Sequence, residues 1–189
     1  DGGEWARRRG FSDLWFKDDS RNPSGSYKDR ASELVVAKAR EFGRDTVVAA
    51  STGNAATALA CCCAAAGLRC VLFVPAGAPE GKLAQMLAFG ATVLRVDGTY
   101  DQAYELSIEA TRRFGWINRN TGYNPYTIDG KRTGAFEIAE QLGWRAPGAV
   151  AVSAGDGVIV SGLAKGFRDL AALGWIERPP RLIAVQARG

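Results

Sequence analysis

Six times along this chain a helical pattern stops on a glycine and a short apolar run follows it. The glycines are Gly43, Gly67, Gly90, Gly115, Gly143 and Gly174. The runs are Thr46–Ala50, Cys70–Val74, Thr92–Val96, Trp116–Asn118, Ala149–Val152 and Leu182–Gln186. Glycine just past a helix supplies the left-handed conformation that satisfies the last carbonyls. The runs are β-branched, too short for helices, and always separated by a helix-length segment. Strands joined in that way lie parallel, with the intervening helices packed on the sheet. The expectation is an α/β fold with parallel sheet flanked by helices. No repeat or low-complexity segment interrupts it.

The helical patterns differ in detail. Ala31, Leu34, Val35, Ala39 and Phe42 recur at helical spacing after Lys28. An Ala/Cys-rich stretch after Asn54 reads as a helix buried on most sides. Pro79 suits a first helical turn and Thr99 a cap. A polar turn over 119–129 precedes a helix through Phe136, Ile138 and Leu142. The last helix is expected over Val158–Leu173.

Composition removes several functions. There is no histidine among the 189 residues, which excludes Ser-His hydrolases, histidine acid–base chemistry and most catalytic zinc sites. The net charge of +4 is mild and the basic residues are scattered, apart from Arg7-Arg8-Arg9 in what reads as a solvated turn; no nucleic-acid stripe is present. No apolar run reaches membrane-span length, and no charged-then-apolar signal pattern opens the chain. Cys61, Cys62 and Cys63 are contiguous, so on a helix they point about 100° apart and cannot converge on one metal. They do not form a secreted disulfide framework. The reading is small buried residues in a reducing compartment, the cytoplasm.

Three loops carry the chemistry, and in parallel sheets ligands bind beyond the carboxyl ends of strands. The first is Asn22-Pro23-Ser24-Gly25-Ser26-Tyr27-Lys28-Asp29-Arg30, a turn that delivers Lys28 into the first turn of a helix. There the positive helix end disfavours the ammonium, and a free amine can form a Schiff base with an aldehyde cofactor. A solvated lysine opening a surface helix is the plain alternative. The second loop, Ser51-Thr52-Gly53-Asn54, offers hydroxyls, an amide and N–H groups at a helix start, either as a carboxylate cradle or as an ordinary cap. The third, Ala154-Gly155-Asp156-Gly157, presents successive N–H groups suited to a phosphate, or is a plain strand-to-helix turn. A dinucleotide fingerprint fails because Val160 stands where a third glycine belongs. A triphosphate loop fails because Leu163 replaces its lysine. A phosphorylated aldehyde carrying an amino-acid substrate accounts for all three loops at once.

The lysine loop resembles the corresponding motif of fold-type-II pyridoxal-phosphate enzymes, in its threonine synthase form. Ser51-Thr52-Gly53-Asn54 resembles that family's asparagine loop. Asn124-Pro125-Tyr126-Thr127-Ile128-Asp129-Gly130-Lys131-Arg132-Thr133 and Val152-Ser153-Ala154-Gly155-Asp156-Gly157, followed by Lys165-Gly166-Phe167, are also similar to threonine synthase segments. The resemblance implies a two-lobed fold and pyridoxal 5'-phosphate as cofactor. Lys28 would hold the cofactor and shuttle protons at the substrate's Cα and Cβ. Asn54 would bond the ring hydroxyl, and Ser51, Thr52 and Gly53 the substrate carboxylate. Gly155, Asp156, Gly157, Val158 and Ile159 would wrap the cofactor phosphate. The implied reaction is a lyase step of threonine biosynthesis: O-phospho-L-homoserine and water give L-threonine and phosphate. The other implied possibilities are a serine/threonine dehydratase, a cysteine synthase-like β-replacement enzyme, or a truncated relative without turnover.

Two residues depart from the pattern. Thr127 stands where some threonine synthases carry the base that meets the substrate phosphate, leaving Lys131 or Arg132 for that role. Asp156 puts a carboxylate beside the phosphate loop, which is tolerable only if it points away. The resemblance also implies a division into residues 1–44 of a large lobe, 45–122 as a small βα lobe, and 123–189 returning to the large lobe. Members of the family are longer, so the chain reads as a piece of an enzyme whose parent is a homo-oligomer. Asp1-Gly2-Gly3 does not look like a native start, no residue is evident for the pyridine nitrogen, and the chain stops abruptly at Gly189.

Overall fold

The computed structural model describes residues 3–11 and 13–187. Asp1, Gly2 and Gly189, the residues on which the expectations about the chain's two ends rest, lie outside that range. A short helix, α1 (Gly3–Arg7), and a 3-10 turn (Asp19–Arg21) precede α2 (Lys28–Glu41). The order then runs β1 (Thr46–Ala50), α3 (Asn54–Ala66), β2 (Arg69–Pro75), α4 (Glu80–Ala88), β3 (Thr92–Val96), α5 (Tyr100–Phe114) and β4 (Ile117–Asn118). It closes with α6 (Tyr126–Lys131), α7 (Thr133–Gln141), β5 (Ala149–Ser153), α8 (Val158–Ala172) and β6 (Arg181–Val185).

All pairing is parallel. One sheet has the order β3-β2-β1-β4, and a second pairs β5 with β6. Each of the six helix-stopping glycines has a positive φ, between 63° and 79°. Thr99 accepts from the Gln102 N–H while the Gln102 side chain accepts from Thr99 N–H, a complete capping box.

Strand period fixes which residues meet which helices. Val47 and Ala49 of β1 face α2 and α3, packing with Val35, Leu59 and Leu72. Val48 and Ala50 face the opposite way, onto Ala103 and Ala110 of α5. With both faces covered, every residue of β1 is buried. Full burial of a Val or Leu stabilises by about 1.5–3 kcal/mol, so the centre of this sheet is the rigid base of the molecule. The second sheet has Val150 and Val152 against Leu163 and Phe167 of α8, while Ala149 and Ala151 remain exposed.

The polar stretch over 119–129 departs from expectation. Its last residues form α6, and Arg119 and Asn120 are buried. The physical reason is that its polar groups find protein partners. Asn124 accepts from the Tyr126 N–H at 3.0 Å and donates to the Asn118 carbonyl at 2.7 Å, which starts the helix. α6 then wedges between α2 and α8. Gly130 lies against the Arg30 carbonyl, where a Cβ would collide, and a Cβ at Gly162 would meet the Cβ of Lys131.

Candidate active site

Lys28 opens α2, and its neighbours are tied down one by one. Ser24 donates to Asp29 from both its hydroxyl and, at 2.9 Å, its backbone N–H, which folds the loop back on the helix. Tyr27 donates its hydroxyl to the Lys131 carbonyl at 2.7 Å. Arg30 reaches both oxygens of Glu137 at 2.6 and 2.7 Å and Asp19 at 2.7 Å. Those contacts occupy the side chains on either side of Lys28, while Lys28 itself lines a cavity of about 330 Å³. That volume lies at the small end of the range for ligand sites.

The same cavity is lined by Ser51 and Asn54 after β1, by Arg119, Asn120 and Thr121 after β4, by Asp156 after β5, and by Tyr100. Three strands therefore deliver residues from their carboxyl ends to one place, as parallel-sheet topology requires. Burial pushes the Lys28 ammonium below its ordinary pKa, and nearby Arg119 adds to that while Asp156 opposes it.

Arg119 is held from below. Its Nε donates to Ser32, one turn along α2 from Lys28, at 3.1 Å, and Nη1 donates to Thr121 at 3.2 Å. Nη2 has no partner among the described residues, although Arg119 is only 1% exposed. Lys131 is wholly buried, and its Nζ is likewise unpartnered among them. Burial, with Arg119 and Lys28 close by, pushes its pKa down to about 7. Arg119 is lowered to about 10, again chiefly by burial. Lys28, Arg119 and Asp156 line the cavity, whereas Lys131, near enough to feel the charges of Lys28 and Arg119, does not line it. Buried charge left without a partner costs stability.

The other residues singled out in the sequence are placed less uniformly. Asn54 accepts from Lys82 at 3.3 Å at the exposed rim. Thr52 and Gly53 lie beside it in the turn before α3 but do not line the cavity. Gly155, Gly157, Val158 and Ile159 form the turn and first residues of α8, with Gly157 in the left-handed conformation at φ 77°, and do not line the cavity. Asp156 does not point away. It lines the cavity and accepts from the Val158 N–H at 3.1 Å, which engages one of the phosphate-loop donors. Arg132 is not brought to the site; it pairs with Asp169 of α8 at 2.9 Å. Thr127 is buried and donates to the Asn124 carbonyl.

Sequence reasoning missed Arg119, Asn120, Thr121 and Tyr100. Asn120 accepts from the Ala50 N–H at 2.8 Å and donates to Ser107 at 2.7 Å, which locks the loop across β1. The signal available was position: these residues follow a strand directly, as Ser51 does.

A half-buried amine with a weakened ammonium suits an aldehyde. The family model for pyridoxal-phosphate dependent enzymes matches residues 4–189, and the chain belongs to that family. Its cofactor is accordingly pyridoxal 5'-phosphate. Among curated relatives, the threonine synthase of Methanocaldococcus jannaschii is 36% identical over 181 residues, covering 95% of this chain and 44% of the relative. The threonine synthase of Methanosarcina acetivorans is 37% identical over 187 residues, covering 97% and 45%. The processed form of threonine deaminase isoform 2 from Solanum lycopersicum superposes with a TM-score of 0.85 at 24% identity, over 100% of this chain and 52% of that one, and so shares its fold. The chain spans about half the length of the relatives it matches.

Proposed function

We propose that this chain carries the cofactor-bearing part of a lyase of threonine synthase type, acting on O-phospho-L-homoserine and water to give L-threonine and phosphate. The observation that carries the reading is Lys28: a partly buried amine, held at a helix head, facing a cavity that Ser51, Asn54 and Asp156 enter from other loops. Similarity to threonine synthases across nearly the whole chain supports the choice of substrate.

Pyridoxal phosphate, when bound, supplies the electron sink for chemistry at the substrate's Cα and Cβ. Lys28 would hold it and move protons at those carbons, which a lysine with a weakened ammonium can do without histidine. Ser51, Thr52 and Gly53 would hold the substrate carboxylate, and Asn54 the ring hydroxyl. The backbone of Gly155, Asp156, Gly157, Val158 and Ile159 would hold the cofactor phosphate. The division at residues 44 and 122 into two lobes, with the cavity between them, belongs to the same reading. A dehydratase or β-replacement enzyme is favoured instead by one observation, the absence of a basic side chain at Thr127.

Titration of the chain with pyridoxal phosphate, beside Lys28→Ala, tests the reading. A red-shifted visible band is expected in the parent and absent in the variant. Phosphate release from O-phospho-L-homoserine, without turnover of serine or threonine, then separates the synthase from the dehydratase. The same band in both proteins would remove Lys28 from its role.

A further inference from the structure

Arg30 stands two residues past Lys28, is only 5% exposed, and bonds through its side chain only to partners outside its own helix. It donates to both Glu137 oxygens at 2.6 and 2.7 Å, to Thr133 at 3.1 Å and to Asp19 at 2.7 Å. Thr133 and Glu137 are one turn apart on α7, so the guanidinium lies along the start of that helix. A guanidinium forked onto a carboxylate fixes angle as well as distance. Tyr27, on the other side of Lys28, rests on the same helix: a Cβ at Gly134 would collide with its hydroxyl. The residues flanking Lys28 thus fasten the head of α2 to α7 and leave Lys28 itself facing the cavity.

In turn, α7 sits directly on α8. Ala135 and Ala139 pack with Leu163 and Phe167, and Gly166 approaches the Arg132 carbonyl so closely that a Cβ there would collide. α8 begins at Val158, straight after the turn whose Asp156 lines the Lys28 cavity. One packed path therefore joins Lys28 to that turn, through Arg30, Glu137, α7 and α8. Close-packed interiors are stiff and transmit displacement, so this path sets the spacing between the lysine and the turn.

We propose that Arg30 and Glu137 are positioning residues that hold Lys28 at the spacing the cofactor spans, from its aldehyde carbon to its phosphate. The proposal rests on the reading of the function given above, which gives the aldehyde to Lys28 and the phosphate to the turn before α8. Both groups are carried on one ring, so the distance between them is fixed within narrow limits. Two attachments reinforce each other only when the protein presents both at a matching separation. Neither Arg30 nor Glu137 lines the cavity, so they act through the backbone of α2 and α7 and not by touching the ligand.

The test compares pyridoxal phosphate with 5'-deoxypyridoxal, which keeps the ring and aldehyde but lacks the phosphate. Both are titrated by their visible band, with Lys28→Ala subtracted, into the parent, Arg30→Met, Arg30→Lys and Glu137→Ala. The parent is expected to prefer pyridoxal phosphate. Arg30→Met and Glu137→Ala are each expected to shrink that preference by about tenfold or more while the affinity for 5'-deoxypyridoxal stays put. Arg30→Lys, which keeps the charge but not the fork, is expected to lose less. Glu137 is half-exposed, so Glu137→Ala remains folded and decides the matter even if Arg30→Met does not fold. An unchanged preference in Glu137→Ala overturns the proposal alone. Equal loss of both affinities also overturns it, because a general loosening of the site does not distinguish the two ligands. A parent with no preference for pyridoxal phosphate removes the reading of the phosphate turn, and the proposal with it.

Discussion

Replacing Lys131 by methionine should make this protein more stable, and by an amount that depends on pH in a defined direction. In the folded chain Lys131 is fully buried and its pKa lies at about 7, whereas the unfolded chain holds the proton up to the ordinary value of 10.5. Between those values the unfolded state binds more protons than the folded one, so stability rises with pH across that window. Below about pH 7 both states are protonated and the full cost of the buried ammonium is present. At about 1.4 kcal/mol per tenfold in proton affinity, the gap sets a ceiling of about 5 kcal/mol, and relaxation around the charge brings it to about half. Methionine fills much the same volume without a charge. Urea denaturation followed by tryptophan fluorescence at pH 6, 7.5, 9 and 10 measures both proteins, and titrating groups distant from Lys131 cancel in the difference. Lys131→Met is expected to exceed the parent by about 2–3 kcal/mol at pH 6, with the advantage fading by about pH 10. A difference that does not vary with pH, or a less stable variant at pH 6, would refute the burial argument.

Gly130→Ala should lose about 1–3 kcal/mol, since its Cβ would run into the Arg30 carbonyl and force α6 off α2; the urea midpoint shows it, and cofactor affinity should fall with it. Glu137 is held down at about 2 by its hydrogen bonds to Arg30, so its contribution is present above pH 4.5 and lost as pH falls from about 4.5 to 2. Because that side chain is 39% exposed, screening limits the effect to about 1–2 kcal/mol, and Glu137→Gln should flatten the acid limb of the stability profile by that amount. Thr99→Ala removes one half of the capping box on α5 and should cost about 1 kcal/mol, read from the urea midpoint.

The elements that local physics specifies were readable without a structure. Gly67 and Gly115 end their helices because the C-terminal carbonyls need a left-handed residue, a requirement met within a few positions of sequence. Parallel pairing follows from helices between strands, and β1 is buried on both faces, as its unbroken apolar run anticipates. Lys28 at a helix head and Ser51 and Asp156 after strands are local features too, and topology then places them together. Arg119 and Asn120 were not readable in that way. Their polarity signals solvent exposure, and only Ser32, Ser107 and the Ala50 N–H, brought from distant segments, make their burial tolerable.

The sequence by itself therefore determined the alternation of elements, through periodicity, and the cofactor class, through contiguous motifs. The tertiary structure alone decided which charges survive unpaired. Arg132 and Lys131 are adjacent in the chain, but α8 offers Asp169 to the first and only the Gly162 surface to the second. Whether a buried cation finds a partner depends on what other elements place within about 3 Å of it, and that distance is set by packing across the fold rather than by neighbours along the chain.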